Sequence, residues 1–307
     1  MLGRTEQRAT AVGSTGALDV REMRLKARSH PWRLLGAAVV AVVVGFIVWS
    51  FADSDLEWQF FREHLTAPQI MAGLRNTVWI SFLAMALGLA LGVMFAVMRL
   101  SSNPVTASVA WFYVWLFRGT PVYLQLLIWY NLALVFPELG IPGLGSARTV
   151  EVISPFVAAL LGLGINEGAY LTEIIRGGII SVDRGQEEAA QALCLSRRQR
   201  MRHITLPQAL PAIVPAIGNE AVGMLKTSSL AAAISFSELL NGAQTIYFRN
   251  GAIIELLFVA SVWYLVVVSL TSAGQYFLER SLARRRGLPT RPLVPQRVRA
   301  LIPRRVS

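Results

Sequence analysis

Apolar positions fall along this chain in long blocks, and the lengths of those blocks set the architecture. Three blocks carry no charge and meet the roughly 20 residues that a helix needs to cross a hydrocarbon core. They are residues 34–52, 77–98 and 256–278. Three further blocks are interrupted. Residues 100–137 contain Arg118 within Arg118-Gly119-Thr120-Pro121, residues 152–175 carry Asn166, Glu167 and Glu173, and residues 207–237 hold Pro207, Pro211, Pro215, Glu220 and Lys226. A proline in the first helical turn costs nothing, because its missing N–H would have no partner there. That accounts for Pro207 but not for Pro215. The pattern predicts an all-α integral membrane protein with six transmembrane helices.

Residues 100–137 could instead form a hairpin of two short spans, and the basic residues decide between the readings. Of 29 lysines and arginines, seven lie in residues 1–33, six in 176–202 and nine in 280–305. Cytoplasmic segments carry such excesses. A single crossing by 100–137 puts all three clusters, with Arg99, on one side. The other side keeps Arg62, Arg148 and Arg249 among Asp53, Asp55, Glu57, Glu63, Glu138 and Glu151. Both termini are then cytoplasmic, and residues 1–33 and 281–307 read as basic tails drawn to anionic membrane lipid. Residues 34–52 read as an uncleaved anchor, since the preceding stretch is long for the n-region of a signal peptide.

Composition removes other classes. The 307 residues are 54% hydrophobic and 15% charged, against about 25% charged in a soluble chain. Disorder needs the opposite balance. A net charge of +11 taken alone points to nucleic acid, but the basic residues flank spans and serve topology, so no nucleic-acid partner is expected. Cys194 is the only cysteine, which excludes an internal disulfide and suits a cytoplasm-facing thiol. Neither lysine, Lys26 or Lys226, sits in a phosphate-cradling glycine loop. His30, His64 and His203 lack zinc-ligand spacing, and no Gly-x-Ser-x-Gly occurs. No metal, cofactor or catalytic residue is expected, and the chain does not read as an enzyme.

Residues 182–208 form the main loop on the basic side. One short helix is expected from the N-cap Asp183 to Leu193, with Glu187 and Glu188 near its positive end. A second starts after Ser196 and ends near Ile204, ahead of Pro207. Ala189, Ala190 and Leu193 make a small apolar patch. Within this loop, Glu188-Ala189-Ala190, three residues, Cys194, nine residues and Ile204-Thr205-Leu206-Pro207 resemble the EAA motif of bacterial ABC importer permeases. That motif reads E-A-A-x3-G-x9-I-x-L-P, with cysteine here in place of its glycine. Further segments look like the polar amino-acid branch of that family: Gly73-Leu74-Arg75-Asn76-Thr77, Phe117-Arg118-Gly119-Thr120-Pro121 with Gln125, Asn166-Glu167-Gly168-Ala169-Tyr170 with Glu173, and Lys226-Thr227-Ser228-Ser229-Leu230. Glu167 and Thr227 stand where common members carry serine and an acid.

The resemblance implies a five-span permease core over residues 70–280, preceded by an added span at 34–52, in a bacterial inner membrane. It implies a permease subunit of an ATP-driven importer, working by alternating access. Two permease chains would pair, and cytoplasmic ABC ATPase subunits would dock on the loop through Glu187, Glu188, Ala189, Ala190, Leu193, Cys194, Leu195 and Ser196. An extracytoplasmic binding protein would deliver a polar amino acid. The competing reading is a secondary transporter or channel for a small polar solute.

Ionisable residues inside a span cost about 2.5–3.5 kcal/mol and must face protein or water. Arg118, Gln125, Asn166, Glu167, Glu173, Lys226, Thr227 and Ser228 are therefore candidates to line a pathway. Alternatively they lock spans to one another, for example by pairing Lys226 with Glu167, Glu173 or Glu220. Gly88-x-x-x-Gly92 and Gly162-x-Gly164 predict close helix packing.

Overall fold

The computed structural model describes residues 31–53, 56–141 and 145–285. The expected basic tails lie almost wholly outside the described residues. The chain divides at Leu56–Glu57 into two units. The first contains α1 (Pro31–Ala52), which has no polar face and matches the anticipated 34–52 run. α1 is long and apolar enough to cross a membrane.

In the second unit, α2 (Trp58–His64) precedes the long α3 (Pro68–Arg99). The block at 100–137 becomes two helices, α4 (Pro104–Gly119) and α5 (Val122–Tyr130), rather than one continuous span. Pro121 explains the break. Its ring disfavours helical backbone at the residue before it, and Thr120 is extended. A short antiparallel hairpin follows, β1 (Glu138–Ile141) and β2 (Gly145–Arg148), with Glu138 opposite Arg148. The expectation of an all-α chain is corrected to that extent: these residues lie between spans, where water can solvate strand edges.

A single turn, α6 (Thr149–Val152), leads into α7 (Pro155–Ile180), whose N-cap Ser154 accepts a bond from the Val157 amide. The loop that follows holds α8 (Arg184–Ala192) and α9 (Arg197–Arg200). The second loop helix does not stop before Pro207, as the sequence led us to expect. α9 passes through a π-helical turn at Met201–Thr205 directly into α10 (Leu206–Thr227). Pro207 falls in the first turn of α10, where it needs no N–H partner. A 3₁₀ segment at Ser228–Ile234 ends at Ser235, and α11 (Leu239–Asn250) and α12 (Ile253–Arg285) complete the unit. The block 207–237 is thus not one regular helix.

Contacts along α7 give the directions of its neighbours. On α3, Gly88 lies against Gly164 and Glu167, and Gly92 against Leu171, so α3 and α7 run parallel. Tyr113 of α4 bonds the Ile165 carbonyl, whereas Leu126 of α5 lies on Gly162. The broken α4–α5 segment therefore runs on in one sense, antiparallel to α7, and is not a hairpin. On α10, Ile213 fits into Gly178, while Met224 joins the core formed with Ala158, Ala159 and Leu163. α10 is also antiparallel to α7. α12 returns, with Tyr264 beside Glu238 and Gln275 beside Asn219.

The tightest seam is between α3 and α7. A Cβ on Gly88 would come within 2.9 Å of the Glu167 side chain and 3.3 Å of the Gly164 carbonyl. One on Gly92 would come within 2.7 Å of Leu171 Cβ, and one on Gly168 within 2.8 Å of Leu91 Cβ. Lipid tails are as apolar as leucine, so association here comes from close packing rather than water release. We expect Gly92→Ala to destabilise the solubilised protein by about 1–3 kcal/mol through overpacking. Gly177→Ala, where no atom lies within 4 Å of the added methyl, should leave thermal unfolding unchanged or slightly raised.

Candidate functional site

The loop that joins α7 to α10 is built by capping. α8 ends in a pair of bonds characteristic of a left-handed C-terminal turn: the Cys194 amide donates to the Gln191 carbonyl at 2.8 Å and the Leu195 amide to that of Ala190 at 3.1 Å. Cys194 itself has φ +56°. The cysteine therefore adopts the conformation that a glycine at this motif position would supply without strain. Ser196 then starts α9 with a reciprocal capping box, its side chain accepting from the Gln199 amide while Gln199 Oε1 accepts from the Ser196 amide. Asp183 stands at the N-cap of α8 as expected but its side chain makes no capping bond.

These turns sort the loop residues. Ala190 is buried at 3% exposure, while Glu187, Glu188 and Ala189 are exposed and Leu193 is 75% exposed. The anticipated patch of Ala189, Ala190 and Leu193 is thus divided, with Ala190 anchoring the helix and the other two left open. Leu195 is half-buried, its carbonyl held by Arg200 at 3.2 Å. The exposed face combines carboxylates with apolar atoms and is available to a protein partner.

The polar span residues separate into distinct settings. Gln125 and Asn166 serve the α4–α5 break. Gln125 Nε2 donates to the Phe117 and Thr120 carbonyls at 3.0 and 3.1 Å, and Asn166 Nδ2 donates to Phe117 at 2.8 Å. Arg118 places its guanidinium 5.0 Å over the Tyr170 ring. Glu173 pairs with Arg176 at 2.6 Å and with Arg99 of α3 at 3.5 Å. It locks spans as one reading anticipated, but with arginines in place of Lys226. Glu167 is buried against Gly88, and its Oε1 has no hydrogen-bond partner.

Lys226 is exposed and lines a cleft of about 390 Å³ with Ser229, Ser261 and Tyr264. Among the described residues it forms no ion pair within 4 Å. The neighbouring hydroxyls point elsewhere: Thr227 donates to Gly223 and the buried Ser228 to Leu225. Of the Lys226-Thr227-Ser228-Ser229 run, the lysine and Ser229 reach the cleft.

The sequence reading passed over Glu238. It is fully buried at the break between the 3₁₀ segment and α11. Its carboxylate accepts from the Leu240 and Asn241 amides at 2.9 and 2.7 Å and from the Tyr264 hydroxyl at 2.6 Å. The Leu239 amide donates to Thr77, and Asn76 donates to the Ser237 carbonyl at 2.7 Å. A Cβ on Gly73 would fall 2.7 Å from the Glu238 carbonyl. The Gly73–Thr77 segment is thus the cradle for this joint. Its available signal was an acid one residue before a helical run, a usual N-cap arrangement.

Residues 88–284 match the family model of binding-protein-dependent transport system inner membrane components. The chain is 39% identical to the arginine transport system permease protein ArgU of Corynebacterium glutamicum, over 85% of this chain and 83% of that one. It is 33% identical to the glutamine transport system permease protein GlnP of Escherichia coli K12, over 71% and 93%. Among solved structures, the crystal structure of an amino acid ABC transporter with histidines superposes with a TM-score of 0.66 at 32% identity, covering 74% of this chain and all of that one.

The strained turn makes a prediction. A left-handed non-glycine residue costs about 1–2 kcal/mol, and glycine returns about 0.5–1 kcal/mol of that through its freer unfolded chain. Cys194→Gly should therefore stabilise the loop by up to about 1 kcal/mol, and Cys194→Val should weaken it. Hydrogen exchange at the Cys194 and Leu195 amides reads the difference.

Proposed function

We propose, since the chain belongs to the family of binding-protein-dependent transport system inner membrane components, that it carries a polar amino acid across the bacterial inner membrane as the permease subunit of an ATP-driven importer. The permease itself is not an enzyme; ATP is hydrolysed in a separate ABC ATPase subunit. The names of its relatives include arginine and glutamine systems, and an extracytoplasmic binding protein delivers the solute. A second permease chain completes the pathway. We read six spans with both termini cytoplasmic, a five-span core over 70–280 and an added span at 34–52. The alternating helix directions in the second unit support the five-span core.

The observation that carries the mechanism is the continuity of the loop with α10. From Arg197 to Ile234 the chain is helical without interruption, through the π turn and the 3₁₀ segment. This run is bracketed by the positive-φ residues Cys194 and Ser235. An ATPase that engages Glu187, Glu188, Ala189, Leu193 and Ser196 therefore pushes on a continuous helical run, with Ala190, Cys194 and Leu195 holding the turn that transmits the push. The run bends, if anywhere, at its interior prolines Pro211 and Pro215. Its far part holds Lys226 and abuts the Glu238 joint. Displacement of the loop then moves the Lys226 cleft relative to α3 and α7, which the Arg99–Glu173–Arg176 pairing and the glycine seam hold together. In this scheme Lys226 and Ser229 meet the solute, Arg118 and Glu167 set the field beside it, and Gln125, Asn166, Thr227 and Ser228 keep its walls in shape. Family membership favours ATP-driven import over a secondary transporter or channel.

Reconstitution with ATPase and binding protein tests this directly. Uptake should require ATP and all components; ATP-independent uptake by this chain alone would replace the proposal with the competing one. Glu188→Lys should insert normally yet lose about tenfold or more of ATPase docking, as expected for removal of a charge-assisted contact of about 1.5–3 kcal/mol. Unchanged co-purification and uptake in that variant would remove the loop from the coupling role. Lys226→Ala should raise the KM for transport about tenfold with ATPase docking intact.

A further inference from the structure

A second concavity lies away from the Lys226 cleft, between α3 and α10 at their loop ends. It has a volume of about 890 Å³. Leu89, Val93 and Val97 of α3 face Ile213 and Ile217 of α10, so its walls are apolar. Its rim at the loop end carries Arg197, Arg198 and Arg202. All three are exposed, and among the described residues none is in an ion pair within 4 Å. Arg197 reaches back only to the Leu100 carbonyl, at 3.5 Å.

We propose that this groove binds an anionic phospholipid of the loop-side leaflet, its headgroup on the three arginines and an acyl chain between α3 and α10. Two features select that occupant. The first is charge: three uncompensated guanidiniums at the mouth of an apolar groove call for an amphiphile with a negative head, and guanidinium matches phosphate through paired N–H donors. The second is length. From Leu89 to Leu100 the helix rises about 16 Å at 1.5 Å per residue, close to the roughly 15 Å half-thickness of a hydrocarbon core. The groove is one leaflet deep, with its cations where headgroups lie. A free anion would leave the apolar walls unused. The bound lipid bridges α3, which is fixed to α7, and α10, which carries the loop, so it is placed to stiffen or ease the movement of α10.

The test uses the full-length chain in its assembled transporter, incorporated into nanodiscs of phosphatidylcholine with phosphatidylglycerol, then extracted and washed in mild detergent. Retained lipid is identified by native mass spectrometry. Phosphatidylglycerol should be retained in preference to phosphatidylcholine. The triple variant R197Q/R198Q/R202Q should lower that retention about a hundredfold, at about 1 kcal/mol per basic residue. R197K/R198K/R202K, which keeps the charges, should retain most of it and controls for folding. Val93→Trp, which fills the groove and leaves every arginine in place, should also expel the lipid. Equal retention in wild type, the glutamine variant and Val93→Trp would overturn the proposal. So would displacement of phosphatidylglycerol by millimolar inorganic phosphate, which would make the site one for a free anion. A photo-crosslinker at position 93 that captured a second permease or an ATPase instead of lipid would overturn it as well. Because retention is read without transport, its failure is distinct from failure of ATP-driven uptake.

Discussion

Hydrocarbon offers no hydrogen bonds, so a helix that breaks within a bilayer must find protein partners for every amide and carbonyl it frees. This constraint accounts for Thr77, Gln125 and Glu238 among the buried polar side chains of this chain. At the α4–α5 break, Thr120, Gln125 and Asn166 donate to the carbonyls of Leu116, Phe117 and Thr120. At the start of α11 the accounting is complete for the first four amides. Leu239 bonds to Thr77, Leu240 and Asn241 to the Glu238 carboxylate, and Gly242 to the Glu238 carbonyl. A carboxylate at the positive end of a helix is also favoured by the peptide dipoles. Two of the polar residues that look like pathway candidates in the linear sequence, Gln125 and Asn166, thus hold a break in shape.

The proposed transport mechanism rests on those breaks. An unbroken bundle packed as closely as α3 against α7 would move only as a whole. Here the glycine seam and the Arg99–Glu173–Arg176 cluster keep two spans together, while the helical run from α9 into α10 is bounded by left-handed residues at both ends. Interiors packed at this density respond by switching between discrete arrangements rather than by gradual deformation. In the proposed scheme, a loop pushed at one end of this helical run repositions the cleft at Lys226 without unpacking the seam.

Much of this was legible in the sequence, and the reasons differ by feature. The three uninterrupted span candidates, in α1, α3 and α12, were legible because hydrophobic length is a local quantity. The register of the loop was legible because motif spacing is preserved on a helix–turn–helix, and even Cys194 adopts the turn that the spacing demands. Gly88 and Gly92 were readable as packing residues from their four-residue interval. Glu238 was not legible, because an acid between Ser237 and Leu239 looks like a loop residue until the Gly73–Thr77 segment and Tyr264 enclose it. The continuity of α9 with α10 was hidden by Pro207, whose position in a first helical turn depends on where the preceding π turn ends.

By itself, then, the sequence determined the membrane class, the three uninterrupted span candidates and the loop that marks the family, since each depends on residue type and interval along the chain. Tertiary structure decided which polar residues face a cleft and which hold a helix break, which acid pairs with which arginine, and where α3 and α10 part to leave an arginine-rimmed groove. Those outcomes depend on contacts between residues as far apart in the chain as Thr77 and Leu239 or Arg99 and Glu173, and only the packed helices bring such residues together.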